Sequence, residues 1–340
     1  MKLSMRIEEN YSLENYNTFH LQVKTRWFME YDNEEDLQKI LHDEYFQECL
    51  SLHIGGGSNL LFLSDYNGII VHSQIKGIEI VNDASDHILL RVGAAELWDD
   101  VVAYTVEKGW GGIENLSGIP GEAGAAAIQN IGAYGVEIKD VISSVETYNQ
   151  LTFEKRIFTQ AECEYSYRHS YFKNEYNDPH IVTHIVIRLE KNPSFCIGYG
   201  QLQTELDGIC LTLGVVRDAV IRLRDRKLPN PAILGNAGSF FMNPIVTQEK
   251  FEEIKSKYTS LPSYPCADGR TKLSAGWLIE QCGFKGKKHG SVGVYDHQAL
   301  VLVNYGGATG DEIALVAESI RAAVNEQFGI ELIPEVKYVG

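Results

Sequence analysis

The chain has 340 residues, 44% hydrophobic and 22% charged, with a formal net charge of -16. This length supports a sizeable core and two or three domains, and the negative charge disfavours non-specific binding to nucleic acid or to an anionic membrane surface. No run approaches the roughly 18 apolar residues of a membrane span, so none is predicted.

The first residues, MKLSMRIEENYSLENYNTF, show no apolar core followed by small residues, so a secretory leader is not expected. Residues 10–33 are polar and aromatic, with a strand predicted near Phe28 to Tyr31. Asn33 and Asp36 stand at capping-box spacing before Leu37, Ile40 and Leu41, which predicts a helix. Strands are predicted at Ser51 to Ile54, Ile69 to Val71, Ile78 to Asn82 and His87 to Val92. Glu96 to Glu107 reads as a helix with Leu97, Val101 and Tyr104 on one face. This order is not the repeated βαβ of a doubly wound nucleotide domain.

Val141 to Tyr148, Glu154 to Phe158 and Ile181 to Leu189 follow as strands, and Pro193 marks a change of region. The basic stretch 217–228 reads as a helix closed by Pro229 and Pro231. The last third should contain a helix over 248–258, a proline-rich turn at 262–265, a helix over 274–282 and a strand at Ala299 to Val303. Thr309 caps the final helix, with Glu312 three residues on and Ile313, Val316, Ala317, Ile320 and Val324 as its buried stripe. A strand near Val336 to Val339 returns to a sheet. The six cysteines are widely spaced with no CxxC and read as free thiols.

Two small-residue segments carry the most information. GGGSNL at 55–60 can present consecutive backbone N–H groups to an anion, helped by Ser58 and Asn59; a tight turn is the plain alternative. It is neither a GxGxxG fingerprint nor a Walker loop. SGIPGEAGAAAIQNIGAYGVE at 117–137 keeps its side chains small, as a backbone does that must approach a bulky ligand with a diphosphate. There IPG can turn and GAAA can start a helix towards a phosphate, while a close-packed helix crossing is the alternative.

Further along, YRHSYFK at 167–173 offers Arg168 for bidentate contact with a carboxylate or phosphate. GNAGSFFMNP at 235–244 brackets Ser239 with small residues, but there is no GxSxG elbow, so Ser239 suits a proton donor or substrate ligand better than an acyl nucleophile; a capping serine is the alternative. Tyr199, Lys227, Tyr264, Lys272 and Gln298 suggest a local anion site in an acidic chain, although each singly could be a surface residue. Glu335, beside Pro334 in an apolar strand, is an edge residue or a buried general acid. The 10 histidines form no HExxH or HxH, and no metal is expected.

With these segments, and with TKLSAGWLIEQCGFKG at 271–286, HQALVLVN at 297–304 and PEV at 334–336, the chain closely resembles the UDP-N-acetylenolpyruvoylglucosamine reductase family over nearly its whole length. The resemblance implies an α+β fold: a vanillyl-alcohol-oxidase-type FAD-binding domain in two α/β subdomains and a C-terminal α+β substrate-binding domain. The implied boundaries are 1–65 with a completing strand at 330–340, 66–195, and 196–329, the last including a tyrosine loop that marks the first of two subclasses. It implies a cytoplasmic, monomeric UDP-N-acetylmuramate dehydrogenase with non-covalent FAD, NADPH as co-substrate, and UDP-N-acetylenolpyruvoylglucosamine as substrate, in peptidoglycan precursor synthesis. Nucleic acid and membrane are not expected partners.

By the same resemblance Arg168 and Glu335 stabilise a developing enolate and Ser239 delivers its proton. FAD is assigned to Gly55, Gly56, Gly57, Ser58 and Asn59, then to Ile119, Pro120, Gly121, Gly124, Ala125 and Ala126. Gln129, Asn130, Gly132, Ala133, Tyr134, Gly135 and Ile181 complete that set. Tyr167, Tyr199, Lys227, Asn243, Tyr264, Lys272 and Gln298 are the substrate ligands. The chain departs from the family in having Ala125, Ala126 and Ala127 where serines often stand, so hydroxyl bonds to the diphosphate are lost there. A related flavin oxidase of an alcohol or sugar usually attaches its cofactor through His or Cys, which these glycine segments lack. A non-catalytic nucleotide-sugar binder would not need Ser239, Arg168 and Glu335 together.

Overall fold

The computed structural model describes residues 6–173, 178–266 and 268–340. Its contacts divide the chain into two units. The first comprises Met1–Tyr11, Thr25–Gly56 and Asn67–Asp225; the second comprises Ser12–Lys24, Gly57–Tyr66 and Arg226–Gly340.

The first unit holds two sheets. One has the order Arg6–Ser12, Lys24–Tyr31, Tyr66–Ser73, Ser51–Ile54. Its last two strands run parallel, with Ser51 opposite Ile69 and Ile54 opposite His72. The Glu34–Leu41 helix begins at Asn33, whose side chain accepts from the Asp36 amide as the spacing predicts. Leu37, Ile40 and Leu41 then join Tyr31, Ile69 and Val71 in one core cluster. The Arg6–Ser12 strand was not anticipated, because its residues are polar and almost all exposed.

The second sheet is five-stranded, in the order Lys155–Thr159, Ile142–Asn149, His180–Glu190, His87–Gly93, Ile78–Asp83, with antiparallel pairing throughout. In His87–Gly93 burial alternates, Ile88, Leu90 and Val92 facing the core. This is the period of two expected for a sheet covered on one face. The covering elements are the helices Trp98–Glu107 and Ala123–Gln129, which share that core. The buried face of the first of these keeps Val101 from the predicted apolar face but is otherwise displaced by one residue. Leu97 precedes the helix and is 51% exposed, whereas Trp98, Val101, Val102 and Thr105 are buried. Trp98 turns inward because its indole Nε1–H donates to the Leu116 carbonyl at 3.0 Å, satisfying the one polar atom of a large apolar ring.

The sheet also carries a charged network. The Arg91 guanidinium grips Glu146 with two bonds of 2.6 and 2.9 Å, and Lys155 Nζ reaches both oxygens of Glu34 and one of Glu146. Ligand atoms of Glu34, Glu146 and His184 lie within 4.8 Å of one another. Two cations already occupy that space, so the group is an ion-pair network. The Arg91 bond holds the Glu146 carboxyl down at about 2, against the opposing effect of burial. A depressed carboxylate stabilises the fold above its unfolded value of 4.5, and that contribution disappears as pH falls towards 2. Glu146→Gln is therefore expected to cost about 1–2 kcal/mol near neutral pH and much less in strong acid. Urea unfolding of both proteins across that range measures it, and a pH-independent difference would refute the assignment.

The remainder of the first unit includes the helices Gln201–Glu205 and Leu213–Lys227. Leu202, Leu206, Val216, Ala219, Val220 and Leu223 form their joint core, with Tyr134 packed against it.

In the second unit a sheet runs Gly235–Ser239, Val301–Asn304, Val292–Val294, Lys288–His289. Gly235–Ser239 lacks the β-branched residues that mark a strand in sequence. It is admitted by close approach: a Cβ on Gly235 would lie 2.5 Å from the Phe19 carbonyl oxygen. A three-stranded sheet has the order Ile245–Val246, Thr271–Leu273, Ser263–Pro265. The predicted turn at 262–265 is thus largely an edge strand, the place in a sheet that tolerates proline. The Gly310–Phe328 helix has the capping box of Thr309 and Glu312 and the buried stripe predicted for it. Lys337–Val339 pairs in parallel with Leu60–Phe62, so the chain's last strand does return to a sheet.

Candidate active site

In the first unit the Ser51–Ile54 strand runs directly into Gly55 and Gly56. A Cβ on Gly55 would lie 3.0 Å from Glu122 Oε2 and 3.6 Å from Ala125 Cβ; one on Gly56 would lie 3.7 Å from Glu122 Oε1. The glycine turn and the start of the Ala123–Gln129 helix therefore adjoin, forming a cradle that side chains would fill. The helix is seated by close contact, a Cβ on Gly124 falling 2.8 Å from Ala94 Cβ. Its first two amides, of Ala123 and Gly124, donate to the Glu96 and Ala94 carbonyls at 2.9 Å each. Of the three alanines, Ala125 is half-buried and lies beside Gly55, whereas Ala126 and Ala127 belong to the sheet core. Serines at 126 and 127 would place hydroxyls among apolar side chains, so the departure from the family pattern bears on the cradle at Ala125.

Gly121 adopts φ +117, with its carbonyl accepting from the Trp98 amide; Ile119 packs on the core and Pro120 is exposed. The helix ends at Asn130 in the left-handed region, φ +45. The Asn130 side chain is committed locally, donating to Glu137 Oε2 and to the Ser166 carbonyl. Gln129 Oε1, by contrast, is buried without a hydrogen-bond partner among the described residues. An unmet buried acceptor costs about 1–3 kcal/mol, and a ligand carrying N–H donors would supply what it lacks. That acceptor, together with a cradle built on Gly55 and Gly56, which carry no Cβ, fits a flavin nucleotide.

Gly132–Ala133 pairs with Val136–Glu137 across a turn in which Tyr134 and Gly135 both have positive φ, +47 and +85. A Cβ on Gly132 would lie 3.3 Å from Arg168 NH1. Arg168 stands at the tip of a tight turn between Ser166 and His169, at φ +55, a strained conformation for a residue without a reason to be there. Its guanidinium donates to the Asn130 and Gly132 carbonyls at 3.4 and 3.2 Å, and its carbonyl accepts from Lys173 Nζ. These carbonyl acceptors orient the guanidinium. Tyr167 lies beneath the guanidinium, 5.6 Å from its carbon. Tyr199 stands against Gly135, and the Asn115 amide ties the Tyr134 and Cys196 carbonyls together. Ile181 is 4% exposed within the core shared by Tyr31 and Ile69.

Sequence reasoning missed Glu122 and Arg224. Arg224 Nε donates to the Gly118 carbonyl at 3.0 Å, and burial pushes the guanidinium pKa down from its usual value. Its signal is its place in the basic stretch 217–228.

In the second unit Gly57 adopts φ +67. Asn59 Nδ2 donates to the Glu335 carbonyl at 3.0 Å, and the Ser58 carbonyl accepts from Thr18. Ser239 ends its strand opposite Val301. The next residue, Phe240, accepts from the Glu335 amide at 2.8 Å, so Ser239 and Glu335 are brought into adjacent chain segments. The Lys272 ammonium lies 5.9 Å from the ring centre of its cross-strand partner Tyr264. Asn243 Oδ1 accepts from the Ala275 amide, Gln298 Oε1 from Leu300, and Lys227 ends its helix.

Known proteins share this chain's pattern from end to end. The profile of an FAD binding domain matches residues 26–150, and that of the UDP-N-acetylenolpyruvoylglucosamine reductase C-terminal domain matches 230–339. The UDP-N-acetylenolpyruvoylglucosamine reductase of Porphyromonas gingivalis is 50% identical over 337 residues, covering 98% of this chain and 100% of that protein. The chain belongs to the UDP-N-acetylenolpyruvoylglucosamine reductase family. The Bacteroides fragilis reductase is 47% identical over 334 residues, with 98% and 100% covered. The crystal structure of the Thermus caldophilus reductase shares the fold at a TM-score of 0.71 and 21% identity, covering 99% of this chain and 100% of its own. As a member of this reductase family the protein is a flavoprotein oxidoreductase with an α+β fold and an FAD-binding domain, as the resemblance implied. Among the described residues no helix is long and apolar enough to cross a membrane.

Proposed function

We propose that the protein uses NADPH to reduce the enolpyruvyl group of UDP-N-acetylenolpyruvoylglucosamine, forming UDP-N-acetylmuramate for peptidoglycan precursor synthesis. Bound FAD supplies the hydride relay between the two substrates. The chain's own residues hold the substrates and manage charge and proton. Ser239 donates the proton to C2 of the reduced enolpyruvyl group. Arg168 and the Glu335 carboxyl stabilise the negative charge that develops towards the substrate carboxylate, which lowers the barrier to forming it. Lys227, Lys272, Tyr264, Tyr199, Tyr167, Asn243 and Gln298 bind the nucleotide and sugar portions.

The supporting observation is the backbone bond between Phe240 and Glu335, which sets a hydroxyl donor and a carboxyl group on neighbouring segments. Gly55, Gly56, Ala125 and Gln129 are the cofactor contacts best supported by geometry. Purified protein is expected to be yellow, to bleach under NADPH without oxygen, and to regain its colour when the UDP-sugar is added. A protein that takes up no FAD, or whose reduced flavin ignores the UDP-sugar, would overturn the reading.

A further inference from the structure

Beside the glycine cradle runs a chain of charges, Glu122, His72 and Glu30 buried and Arg6 exposed, of which only Glu122 falls within a sequence motif. Glu122 immediately precedes the Ala123–Gln129 helix and is 7% exposed, with Oε2 against Gly55. Its Oε1 lies 3.1 Å from His72 Nε2. The opposite nitrogen of the same ring, Nδ1, lies 3.0 Å from Glu30 Oε1. Glu30 also binds Arg6 NH1 at 3.0 Å, and Gln74 Nε2 donates to the same Oε1 at 2.9 Å.

An imidazole with a carboxylate at each nitrogen can satisfy both only when both nitrogens carry protons. The groups facing His72 are Glu30, with Arg6 behind it, from the neighbouring strands, the Gln74 amide, whose Nε2 also lies 3.0 Å from Nδ1, and Glu122 from the helix start. The Tyr31 phenol lies within electrostatic reach of Glu122. Burial is the largest single influence on the imidazole and lowers its pKa. The hydrogen bonds and charges of Glu122 and Glu30 together outweigh it, and the net displacement is upward from 6.5. With His72 protonated, its charge offsets that of Glu122, while Glu30 is held by Arg6, an exposed guanidinium that also pairs with Glu8. With His72 neutral, the cradle borders a net negative charge, at the place where the flavin reading requires an anion to bind.

We propose that the His72 imidazolium neutralises Glu122 so that the FAD diphosphate is accepted at the Gly55–Gly56 turn, which makes cofactor affinity depend on the protonation of His72. His72 is on this account a positioning residue, acting through Glu122. The inference rests on the flavin reading of the cradle. The sign follows from linkage: affinity is full while His72 is protonated and falls as pH rises through its value in the folded protein.

The test is FAD release from the holoprotein, read as the rise in free flavin fluorescence on dilution at a series of pH values. Wild type is expected to lose about tenfold in affinity from mildly acidic to mildly alkaline pH, the scale of one unit charge about 10 Å from the anion in a partly screened site. Glu122→Gln removes the charge that needs neutralising, so its affinity should stay high and vary little with pH. His72→Gln should bind weakly even in mild acid. Thermal unfolding of each variant shows whether it folds, and if His72→Gln does not, the slope of Glu122→Gln decides alone. A Glu122→Gln protein with the wild-type slope, or a folded His72→Gln protein with wild-type affinity in mild acid, overturns the inference. Tight FAD binding without pH dependence in wild type overturns it alone, whereas wild type that takes up no FAD overturns the flavin reading and this inference with it.

Discussion

Ser239→Ala is expected to leave reduction of the bound flavin by NADPH nearly unchanged and to slow its reoxidation by the UDP-sugar about a thousandfold, the scale of a lost general acid. The two half-reactions differ in what they ask of the protein. Reduction by NADPH needs no proton at a substrate carbon, so a hydroxyl poised for one is idle there. Reduction of the enolpyruvyl group leaves C2 carrying electron density that must be protonated. A serine hydroxyl is a poor acid, so the proposed role requires that the centre it protonates be strongly basic. Alanine preserves the size and the strand end at 239, where the backbone pairs with Val301, so the fold should not confuse the result. Stopped-flow absorbance of the flavin separates the two steps. Equal losses in both would refute the proton-donor role and point instead to a displaced substrate.

Much of the scaffold was legible in the sequence because it is built from periodic signals. The Thr309–Glu312 capping box and the stripe from Ile313 to Val324 read correctly, since a 3.6-residue period and a local cap are both sequence-local. The strand predicted at His87 to Val92 read correctly from its length and β-branched content, which are also local. What failed depended on distant partners. Leu97 fits a helical stripe as well as Trp98 does, and only the Leu116 carbonyl that satisfies the indole decides between them. Gly235–Ser239 is a strand because Phe19 approaches it, which no property of GNAGS announces. At the site, the glycine motifs located the cradle, but Glu122 and its partner His72 are 50 residues apart and met only in the fold. A lone acid among glycines and alanines carried no pattern by which to find it.

The glycines of the 55–57 run look alike in sequence, yet their substitution is expected to separate folding from cofactor binding. Gly57→Ala should destabilise the protein by about 4 kcal/mol or more, enough to threaten a typical fold outright. Gly57 has φ +67, where a Cβ alone costs about 1–2 kcal/mol. That Cβ would also lie 1.9 Å from the Tyr16 carbonyl oxygen and 2.5 Å from its carbon, so the backbone itself must move. No side-chain rotation relieves a clash between a Cβ and a main-chain carbonyl. Gly56→Ala meets only Glu122 Oε1, at 3.7 Å, an ordinary contact, and should fold with a nearly unchanged thermal midpoint. Its methyl group would instead occupy part of the cradle, so its FAD affinity should fall about tenfold. Thermal unfolding of the flavin-free proteins and FAD titration of each distinguish the two effects. If Gly57→Ala folds normally, Tyr16 yields more readily than a packed backbone should; if Gly56→Ala folds and binds FAD as wild type does, the cofactor does not approach that glycine.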